Sequence, residues 1–539
     1  MKFLFIYVDD IKDAVRCRVE KSGKSLTDAE LDILSKQAKL THGPDNPIAG
    51  NPRLGILTLA SVLREKFGDQ IEVQQCDMGF ECLEPNDLRW KLLEFQPDFV
   101  GLSAMLPFSE VFHQVSQVVK KVLPDCCLIA GGPYVTSAPK RAMDDENVDL
   151  GVLYEGEETL PELLEALAAG KDLQEVRGIG YRKEGELKFT PPRPMLLDIN
   201  EIPRPAVDLI DLDKYAGAYR ILSTPSKSMP LFSSRGCPYE CTFCHNLSGK
   251  TVRWRSAENV FEEMEYYYKN HQVREFFFWD DIFNLNIKRA NRLMDLILKS
   301  GMKFRFSFPR GMRGDILSFD LIDKMVEAGF WMSSFAVETA SPRLQKKIKK
   351  HNDFEKLARV IEYSVQQGVL VTTFNMVDFP TETEEEMMMT LDFNRSLPHH
   401  DVTLFKLSPF EGTEIYNQLG GYDHHEHLGA ATFYKYRKKI ISQVAPEFLE
   451  SFIKEFGLSF YFDKKRLASA LSFQSPHVSS EKLRDHFQAI YQMALQHYGI
   501  KEEDLADGES VDLLNEILAP SREGSFSPGL SAVNSAAVL

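Results

Sequence analysis

Three cysteines lie close together near the middle of the chain. Cys237, Cys241 and Cys244 are separated by three and then two residues, and they follow a short run, residues 231–234, that predicts a β-strand. Three thiolates on one short loop can bind three irons of a cubane cluster and leave the fourth iron without a protein ligand. A small molecule can then bind that open iron. The spacing therefore predicts a [4Fe–4S] cluster held by these three cysteines.

Three other interpretations of this loop are weaker. Cys241 and Cys244 alone have the spacing of a thioredoxin-type redox pair, but the third cysteine and the preceding strand do not fit that motif. With His245 the loop offers a Cys3His zinc site, although adjacent ligands at 244 and 245 would strain a tetrahedron. Structural cysteines without a metal are the third possibility.

Composition restricts the classes to which the protein can belong. At 539 residues it is too long for one hydrophobic core, and its 43% hydrophobic and 26% charged residues are typical of globular domains. The net charge of −16 disfavours nucleic acid as a partner. No apolar stretch is long enough for a membrane span, and Asp9 and Asp10 interrupt the apolar start too early for a signal peptide. We therefore expect a cytoplasmic protein with a small-molecule substrate.

The first 190 residues alternate β-rich runs with helical patterns. Valines at 111, 115, 118, 119 and 122 mark one face of a helix between two of these runs. Such alternation is typical of parallel strands joined by right-handed crossovers. It predicts a Rossmann-like, doubly wound α/β domain whose ligand binds beyond the carboxyl ends of the strands. The predicted strands cover residues 2–8, 71–76, 99–103, 127–130 and 150–154.

The ends of these strands have residues that suit either a ligand or a tight turn. Glycine lets a backbone approach a ligand closely or adopt positive φ. The alternative is that the glycines only form the turns that such a fold needs. The residues concerned are Ser103 after the third strand, Gly131 and Gly132 after the fourth, and Glu155, Gly156 and Glu157 after the fifth.

The rest of the chain divides into a linker, a second alternating region and a helical end. Prolines make residues 191–225 an extended linker. Residues 226–415 alternate six strand candidates with helices, which predicts a partial (β/α)6 barrel. Ser256 is expected to cap one of its helices and Gly329 to end another. Residues 416–518 are expected to form an aromatic-rich helical region, and residues 519–539 are expected to form a disordered tail.

The cysteine loop resembles the cluster motif of the radical S-adenosylmethionine (SAM) superfamily, whose fold is a partial β/α barrel. Over roughly residues 226–415, other segments resemble motifs of that superfamily in the same order. Segments 379–383 and 408–413 resemble its fifth- and sixth-strand motifs, with Glu411 where proline is usual. The resemblance implies three further contacts with SAM: Phe243 beside the adenine, Asp280 and Asp281 near the methionyl amino group, and Glu338 near the ribose.

The N-terminal region resembles the cobalamin-binding domain that precedes this barrel in the class B radical SAM methyltransferases. Residues 53–64 match its first helix, and 101–103, 131–134 and 154–158 match the loops around the corrin. The strand-end residues named above thereby become implied cobalamin contacts. Tyr134 replaces a frequent His, and Tyr154 a frequent Gly or Arg. The Asp-x-His-x-x-Gly motif of cobalamin mutases is absent, which implies that no protein His ligates the cobalt.

The resemblance implies a cobalamin-dependent radical SAM methyltransferase. The open iron would bind SAM, and an electron from an external donor such as flavodoxin or ferredoxin would release a 5′-deoxyadenosyl radical. Cobalamin would supply the methyl group to an unactivated carbon, or phosphorus, of a small-molecule, lipid-like or tetrapyrrole-like substrate. In this subfamily the C-terminal region usually covers the mouth of the barrel.

Two other functions remain open at this point. The same cofactors could support oxidative cyclisation or ring rearrangement, which would leave the product without an added methyl group. A non-catalytic cobalamin sensor or carrier could retain a vestigial barrel, although the three cysteines, Glu338 and the acidic pair at 280 and 281 argue against it.

Two further metal sites are disfavoured. Adjacent His side chains point apart on most backbones, so His399-His400 and His424–His427 are poor ligand sets. A methylthiotransferase needs a second iron–sulfur cluster. The remaining cysteines lack the spacing of a cluster motif, which disfavours that class: Cys17, Cys76, Cys82, Cys126 and Cys127.

Overall fold

The computed structural model describes residues 1–9, 51–81, 83–213, 215, 227–245, 247–421, 440–498, 500–505 and 508–519. The tail from residue 520, the cluster His424–His427, and Cys17 and Cys82 lie outside these described residues. The predictions for those segments therefore stay predictions.

The N-terminal half folds around one seven-stranded sheet. Its strands are β1 Lys2–Tyr7, β2 Glu72–Asp77, β3 Phe99–Ser103, β4 Cys127–Gly131, β5 Leu150–Val152, β6 Ile179–Lys183 and β7 Glu186–Phe189. The order across the sheet is β2-β1-β3-β4-β5-β6-β7. The first five strands in that order are parallel, and β6 and β7 form an antiparallel hairpin at one edge.

Helices cover both faces of this sheet. Phe3 and Phe5 of β1 point to one face and Leu4 and Ile6 to the other, because successive side chains of a strand alternate; all four are buried. Both faces are therefore apolar and packed, which confirms the predicted doubly wound α/β architecture. The helices are α1 Leu54–Phe67, α2 Met78–Glu81, α3 Leu88–Phe95, α4 Ser109–Val122, α5 Gly132–Ser137, α6 Pro139–Met143 and α7 Gly156–Ala168.

A second sheet forms the partial barrel. Its strands are β8 Lys227–Leu231, β11 Val273–Phe278, β12 Arg305–Met312, β13 Phe330–Glu338, β14 Leu370–Val377 and β15 Asp401–Lys406, with a separate short ribbon of β9 Ser234–Arg235 and β10 Arg253–Trp254. The six strands are parallel in the order β8-β11-β12-β13-β14-β15. β8 and β15 lie at opposite edges and do not pair, which confirms the predicted partial (β/α)6 barrel.

Helices between the barrel strands, and one short helix after the last strand, accompany the barrel. They are α8 Ala257–His271, α9 Ile287–Ser300, α10 Phe319–Ala328, α11 Pro342–Lys347, α12 Phe354–Gln366, α13 Glu384–Ser396 and α14 Glu414–Gln418. The Ser256 hydroxyl accepts a hydrogen bond from the Asn259 N–H at 3.0 Å, and Gly329 ends α10 with a φ of +114°. Both predicted helix boundaries are confirmed.

The strand before the cysteine loop covers residues 227–231 and not, as the sequence predicted, residues 231–234. β8 ends at Leu231, and the buried carboxylate of Asp280 then accepts hydrogen bonds from the Ser233 N–H and from the Ser233 and Ser234 hydroxyls. These side-chain bonds take the backbone out of the barrel sheet, and residues 234–235 pair antiparallel with β10 instead. The sequence signal for this early strand end was the pair Ser233 and Ser234, because serine hydroxyl groups form local hydrogen bonds that compete with strand pairing.

Four helices complete the described chain: α15 Pro446–Tyr461, α16 Lys464–Ser472, α17 Ser480–His497 and α18 Gly508–Leu518. The Tyr461 hydroxyl donates to Asp401 at the start of β15 (2.5 Å), and Arg466 donates to the His399 carbonyl at 2.9 Å. These helices therefore pack at the strand-start end of the barrel, opposite the mouth at which the resemblance placed the C-terminal region. None of the described helices is both long and apolar enough to cross a membrane.

Candidate functional site

The cysteine loop begins at a glycine that no other residue can replace without strain. Gly236 has a φ of +92°, and a Cβ placed on it would lie 2.5 Å from the Thr251 carbonyl oxygen. Its N–H donates to Asp281 at 3.1 Å, and the next N–H, that of Cys237, donates to the Gly249 carbonyl at 3.1 Å. The start of the loop is therefore fixed from both sides by backbone contacts.

The second half of the loop is fixed by the segments that follow β13 and β15. The Thr242 N–H donates to the Ile348 carbonyl at 3.1 Å, and the Thr242 carbonyl accepts from the Ile415 N–H at 2.9 Å. The Cys241 Sγ lies 3.8 Å from the Lys349 carbonyl oxygen. All three cysteines thus lie at the strand-end edge of the barrel.

The three thiols are desolvated, and they do not converge on one ion position. Desolvation raises the pKa of each thiol, that of Cys244 to about 12, although Cys244 keeps accessible surface. No three His, Cys, Asp or Glu side chains among the described residues converge on one ion position. A cubane does not need such convergence, because each thiolate binds a different iron. His245 donates its Nε2–H to the Glu411 carbonyl at 2.6 Å, so that nitrogen is not available to a zinc ion.

An ion pair lies beside the thiols. Glu338 ends β13 with a φ of +63°, and its carboxylate is 3.1 Å from the Lys350 ammonium. Burial raises the pKa of the Cys241 thiol and the nearby Lys350 charge lowers it. Sequence reasoning missed Lys350, because four lysines between 346 and 350 look like a solvated helix end. The +63° φ of Glu338 is backbone strain of the kind found at binding sites.

The acidic pair at the end of β11 holds the loop start in place. Asp280 is 3% exposed and is surrounded by the Ser233 and Ser234 donors, and burial raises the pKa of its carboxyl group. Asp281 is exposed and accepts from Gly236. Their predicted position near the methionyl group of SAM stays a prediction.

Phe243 lies between the second and third cysteines and is partly buried. Its ring meets the ring of Phe379 edge-to-face, with centroids 6.1 Å apart, and packs on a small apolar cluster with Leu344, Leu407 and Ile415. The predicted contact with the adenine of SAM is compatible with the exposed part of this ring.

Two strand-end loops of the N-terminal sheet lie side by side. Gly132 has a φ of +84°, and a Cβ there would clash with the Ser103 hydroxyl oxygen. A Cβ on the neighbouring Gly131 would make only ordinary contact, at 3.6 Å from the Val152 carbonyl. The ends of β3 and β4 therefore approach each other too closely for a side chain at Gly132. The predicted cobalamin contacts of Ser103, Gly131 and Gly132 stay predictions.

The third loop positions its carboxylates toward the barrel. Glu155 accepts from Arg235 at 3.0 Å and from Arg253 at 2.7 Å, and Glu157 accepts from Arg235 at 2.6 Å. Burial raises the pKa of Glu155, but the bonds from Arg253 and Arg235 leave it lowered. Gly156 lets the loop pack closely on Leu59 of α1. We call these contacts the inter-sheet ion pairs, and they were missed from the sequence.

The linker joins the same network. The Leu196 N–H donates to Glu155 at 3.0 Å, and the Leu196 carbonyl accepts from Arg253 at 2.8 Å. Arg235 directly precedes Gly236, so the N-terminal loop, the linker and the cysteine loop meet at one point.

The two tyrosines that depart from the subfamily pattern differ in position. Tyr134 is fully buried, and its hydroxyl is 2.9 Å from His113 Nε2, whose Nδ1 is 2.8 Å from Asp145. It therefore joins α5 to α4 inside the domain. Tyr154 is 42% exposed with a φ of +62°, a backbone conformation in which the subfamily's frequent Gly would be unstrained.

Comparisons with known proteins agree with this arrangement. Residues 231–393 match the profile of the Radical SAM superfamily, and residues 51–164 match that of the B12 binding domain. The chain is 30% identical over 371 residues to an uncharacterized methyltransferase of Pyrococcus horikoshii. The aligned region covers 68% of this chain and 78% of that protein. These matches confirm the resemblance stated from the sequence.

Two further relatives differ from each other in chemistry. A cytidylyl-2-hydroxyethylphosphonate methyltransferase of Streptomyces wedmorensis is 27% identical over 67% of this chain and 76% of its own. An anaerobic magnesium-protoporphyrin IX monomethyl ester cyclase of Rubrivivax gelatinosus is 24% identical over 70% of this chain and 68% of its own.

Two solved structures share the fold. The cobalamin-dependent SAM radical enzyme OxsB with aqua-cobalamin bound aligns with a TM-score of 0.66 and 16% identity, over 96% of this chain and 75% of that one. The radical SAM methyltransferase TsrM from Kitasatospora setae, with cobalamin and a [4Fe-4S] cluster bound, aligns with a TM-score of 0.58 and 18% identity. This alignment covers 77% of this chain and 76% of that one. At these identities the likeness concerns the fold.

Proposed function

Because the chain belongs to the cobalamin-binding radical SAM family, an enzyme family whose cofactors are a [4Fe–4S] cluster, SAM and cobalamin, we propose that it is a methyltransferase. Its target is an unactivated carbon, or phosphorus, of a small-molecule, lipid-like or tetrapyrrole-like substrate. When bound, the cluster and SAM supply a 5′-deoxyadenosyl radical and cobalamin supplies the methyl group.

One observation supports this proposal most directly: the strand-end edges of the two sheets face each other. The inter-sheet ion pairs join the loop after β5 to the start of the cysteine loop at 2.6–3.0 Å. A Cβ on Gly412, after β15, would lie 3.3 Å from the Ser137 carbonyl at the end of α5. Groups bound at the two edges would therefore share one space, as methyl transfer between them requires.

The roles of the residues follow from their positions. The three cysteines hold the cluster, and Glu338 with Lys350 presents one carboxylate and one ammonium beside it. Asp280 acts on the loop through Ser233 and Ser234, and Glu155 and Glu157 act through the arginines, so their backbone would face the corrin. The residues proposed to surround the cofactors, directly or through these partners, are Phe243, Asp280, Asp281 and Glu338 for SAM, and Ser103, Gly131, Gly132, Glu155, Gly156 and Glu157 for cobalamin.

The proposed division of labour keeps the boundaries expected from the sequence. Residues 1–190 bind cobalamin, 191–225 link the domains, 226–415 bind the cluster and SAM, and 416–518 form the helical region. An external donor such as flavodoxin or ferredoxin supplies the electron.

The proposal is tested by anaerobic reconstitution with iron, sulfide and hydroxocobalamin. The loaded protein is incubated with a reductant, trideuteromethyl SAM and a cell extract, and the extract is searched by mass spectrometry for labelled methyl groups. We expect 5′-deoxyadenosine and a labelled product, with neither formed by a Cys241→Ala control. If a protein with full iron and cobalt content cleaves no SAM, the proposal that it is a radical SAM enzyme is refuted.

Oxidative cyclisation is the second candidate, and the similarity to the Rubrivivax gelatinosus cyclase favours it. The product mass separates the two functions. A cyclase forms 5′-deoxyadenosine but leaves its product without the labelled methyl group.

A further inference from the structure

Lysines gather beside the cysteine loop although the chain as a whole is acidic. The net charge of the chain is −16, but residues 342–353 contain five cations and one acid. These residues form α11 and the turn that follows it. The cations are Arg343, Lys346, Lys347, Lys349 and Lys350, and the acid is Asp353.

This segment contacts the second half of the cysteine loop. The Ile348 carbonyl accepts a hydrogen bond from the Thr242 N–H at 3.1 Å, and the Lys349 carbonyl oxygen lies 3.8 Å from the Cys241 Sγ. Two exposed lysines end α11 and directly precede these contacts. Positive charge therefore lies next to a proposed ligand of the cluster.

A third exposed lysine contacts the first half of the loop. The Lys250 ammonium donates to the Tyr239 carbonyl at 2.5 Å, and the carbonyl of Gly249 accepts from the Cys237 N–H at 3.1 Å. Pro238, directly after Cys237, is exposed. A protein that touches Pro238 would thus contact the direct neighbour of another proposed cluster ligand.

The cations beside the loop differ in whether an acid neutralises them. Lys349 pairs with Glu414 at 2.7 Å, and Lys350 pairs with Glu338 at 3.1 Å. Three exposed lysines form no ion pair with the part of the chain that the structure describes, and the acceptors of two of them are uncharged oxygens. We call these three the lysine rim: Lys250, Lys346 and Lys347.

We propose that the lysine rim docks an acidic electron-carrier protein of the flavodoxin class, which reduces the cluster across the exposed side of the cysteine loop. The proposal rests on the proposed function, because it supplies the electron which that function requires. The reduced flavin of the carrier loses one electron, the cluster gains it, and no bond forms or breaks. Opposite charges bring the carrier to the lysine rim, since the excess of acidic residues elsewhere on the chain repels it.

The rate of cluster reduction tests the proposal. The reconstituted holoenzyme is mixed without oxygen with fully reduced flavodoxin, and rapid-freeze electron paramagnetic resonance measures the reduced cluster apart from cobalamin. We expect the rate to fall about 10-fold or more between about 0.05 M and about 0.5 M salt, because salt screens the attraction between exposed charges.

Charge variants assign this dependence to the lysine rim. The double variant Lys346→Glu/Lys347→Glu should be reduced about 10-fold more slowly at low salt, and Lys346→Ala/Lys347→Ala should lie between it and the parent. The matched control is Lys269→Glu/Lys299→Glu, which makes the same change in net charge at exposed positions in the last turns of α8 and α9. It should be reduced at nearly the parent's rate. Iron content and full reduction by titanium(III) citrate check that every variant holds a reducible cluster.

Three results would overturn the proposal: a parent that flavodoxin does not reduce, a rate that does not depend on salt, or an equal decrease in the rim and control variants. The proposed function is measured separately, as SAM cleavage and transfer of the labelled methyl group with titanium(III) citrate as the reductant. If the chemically reduced protein cleaves SAM while its reduction by flavodoxin is indifferent to the lysine rim, only the docking proposal fails.

Discussion

The two ends of the barrel have the same arginine–tryptophan pair in different surroundings. At the strand-start end, Arg305 lies over Trp331 at 4.7 Å and is 3.7 Å from the fully buried Glu275. At the strand-end side, Arg310 lies over Trp279 at 5.0 Å and is half-buried. A stacked arginine is therefore not by itself a sign of function, and its place in the fold decides the interpretation.

Backbone strain separates the two ends in the same way. Glu338, Lys349, His351, Asp378 and Thr381 all have positive φ, and all lie at or after the ends of β13 or β14. At the opposite end, the left-handed positions that end the helices before β11, β12, β13 and β14 are Gln272, Gly301, Gly329 and Gly368, so three of these four are glycines. Left-handed non-glycine residues cost about 1 kcal/mol or more each, and such strain gathers where ligands bind.

The largest effect is expected from the cysteines of the strand-end edge. Changing Cys237, Cys241 or Cys244 to Ala should remove the cluster, because two thiolates cannot hold a cubane with one open corner. Iron and sulfide analysis of the anaerobically purified protein measures the loss. Cys127→Ala is the control, since Cys127 lies in β4 away from the loop. Full iron content in Cys241→Ala would contradict the assignment.

Gly236→Ala should remove most of the cluster while the rest of the protein stays folded. The added Cβ would lie 2.5 Å from the Thr251 carbonyl, so the loop start must shift. Gly249→Ala is the matched control, because it has a similar φ of +82° but meets nothing nearer than Met195 at 3.7 Å. Circular dichroism and iron content separate misfolding from cluster loss. Equal iron loss in both variants would show that φ strain, and not the contact, matters.

Arg235→Met should weaken cobalamin binding by about 1–3 kcal/mol, because it leaves the half-buried Glu157 without its cation. Glu157→Gln should recover part of that loss in the double variant, since no buried charge is then left unpaired. Cobalamin titrations of the four proteins measure the coupling. Arg193→Met is the control, because Arg193 pairs with Glu162 on the same helix without contact to the cysteine loop. An equal loss in this control would refute the coupling.

The smallest effect is expected at the strand-start end, where burial lowers the pKa of His400 to about 3. An unfolded His titrates near about 6.5, so the stability from neutral His400 is full above that pH and falls as the pH drops toward 3. Buried Asp401, whose pKa is raised to about 6, acts in the opposite direction. His400→Asn keeps an acceptor for the Val371 N–H.

Thermal unfolding midpoints between about pH 7.5 and pH 5 measure this effect. The acid-induced decrease should be smaller in His400→Asn than in the parent, and unchanged in His351→Asn, whose side chain is exposed at the other end. Parallel curves for the parent and His400→Asn would show that His400 does not contribute.

The sequence predicted the elements better than the contacts between them. Strand β3 was predicted with the observed bounds, because periodic apolar runs report on local structure. The buried Asp280, Lys350 beside the thiols and the Arg235–Glu157 pair were missed as contacts. Each depends on residues more than ten positions apart in the chain. A single sequence, considered without an alignment, contains no signal for such distant pairs.

The meeting of three segments at Glu155 has a consequence for protein engineering. The N-terminal domain cannot be exchanged for that of a relative by cutting at the linker alone, because Glu155 bonds to the linker backbone at Leu196 and to two arginines of the barrel. A functional chimera would have to transfer the residues at 155, 157, 196, 235 and 253 as one set. Recombination that separates them would join two folded domains with mismatched charges at the point where their cofactors must align.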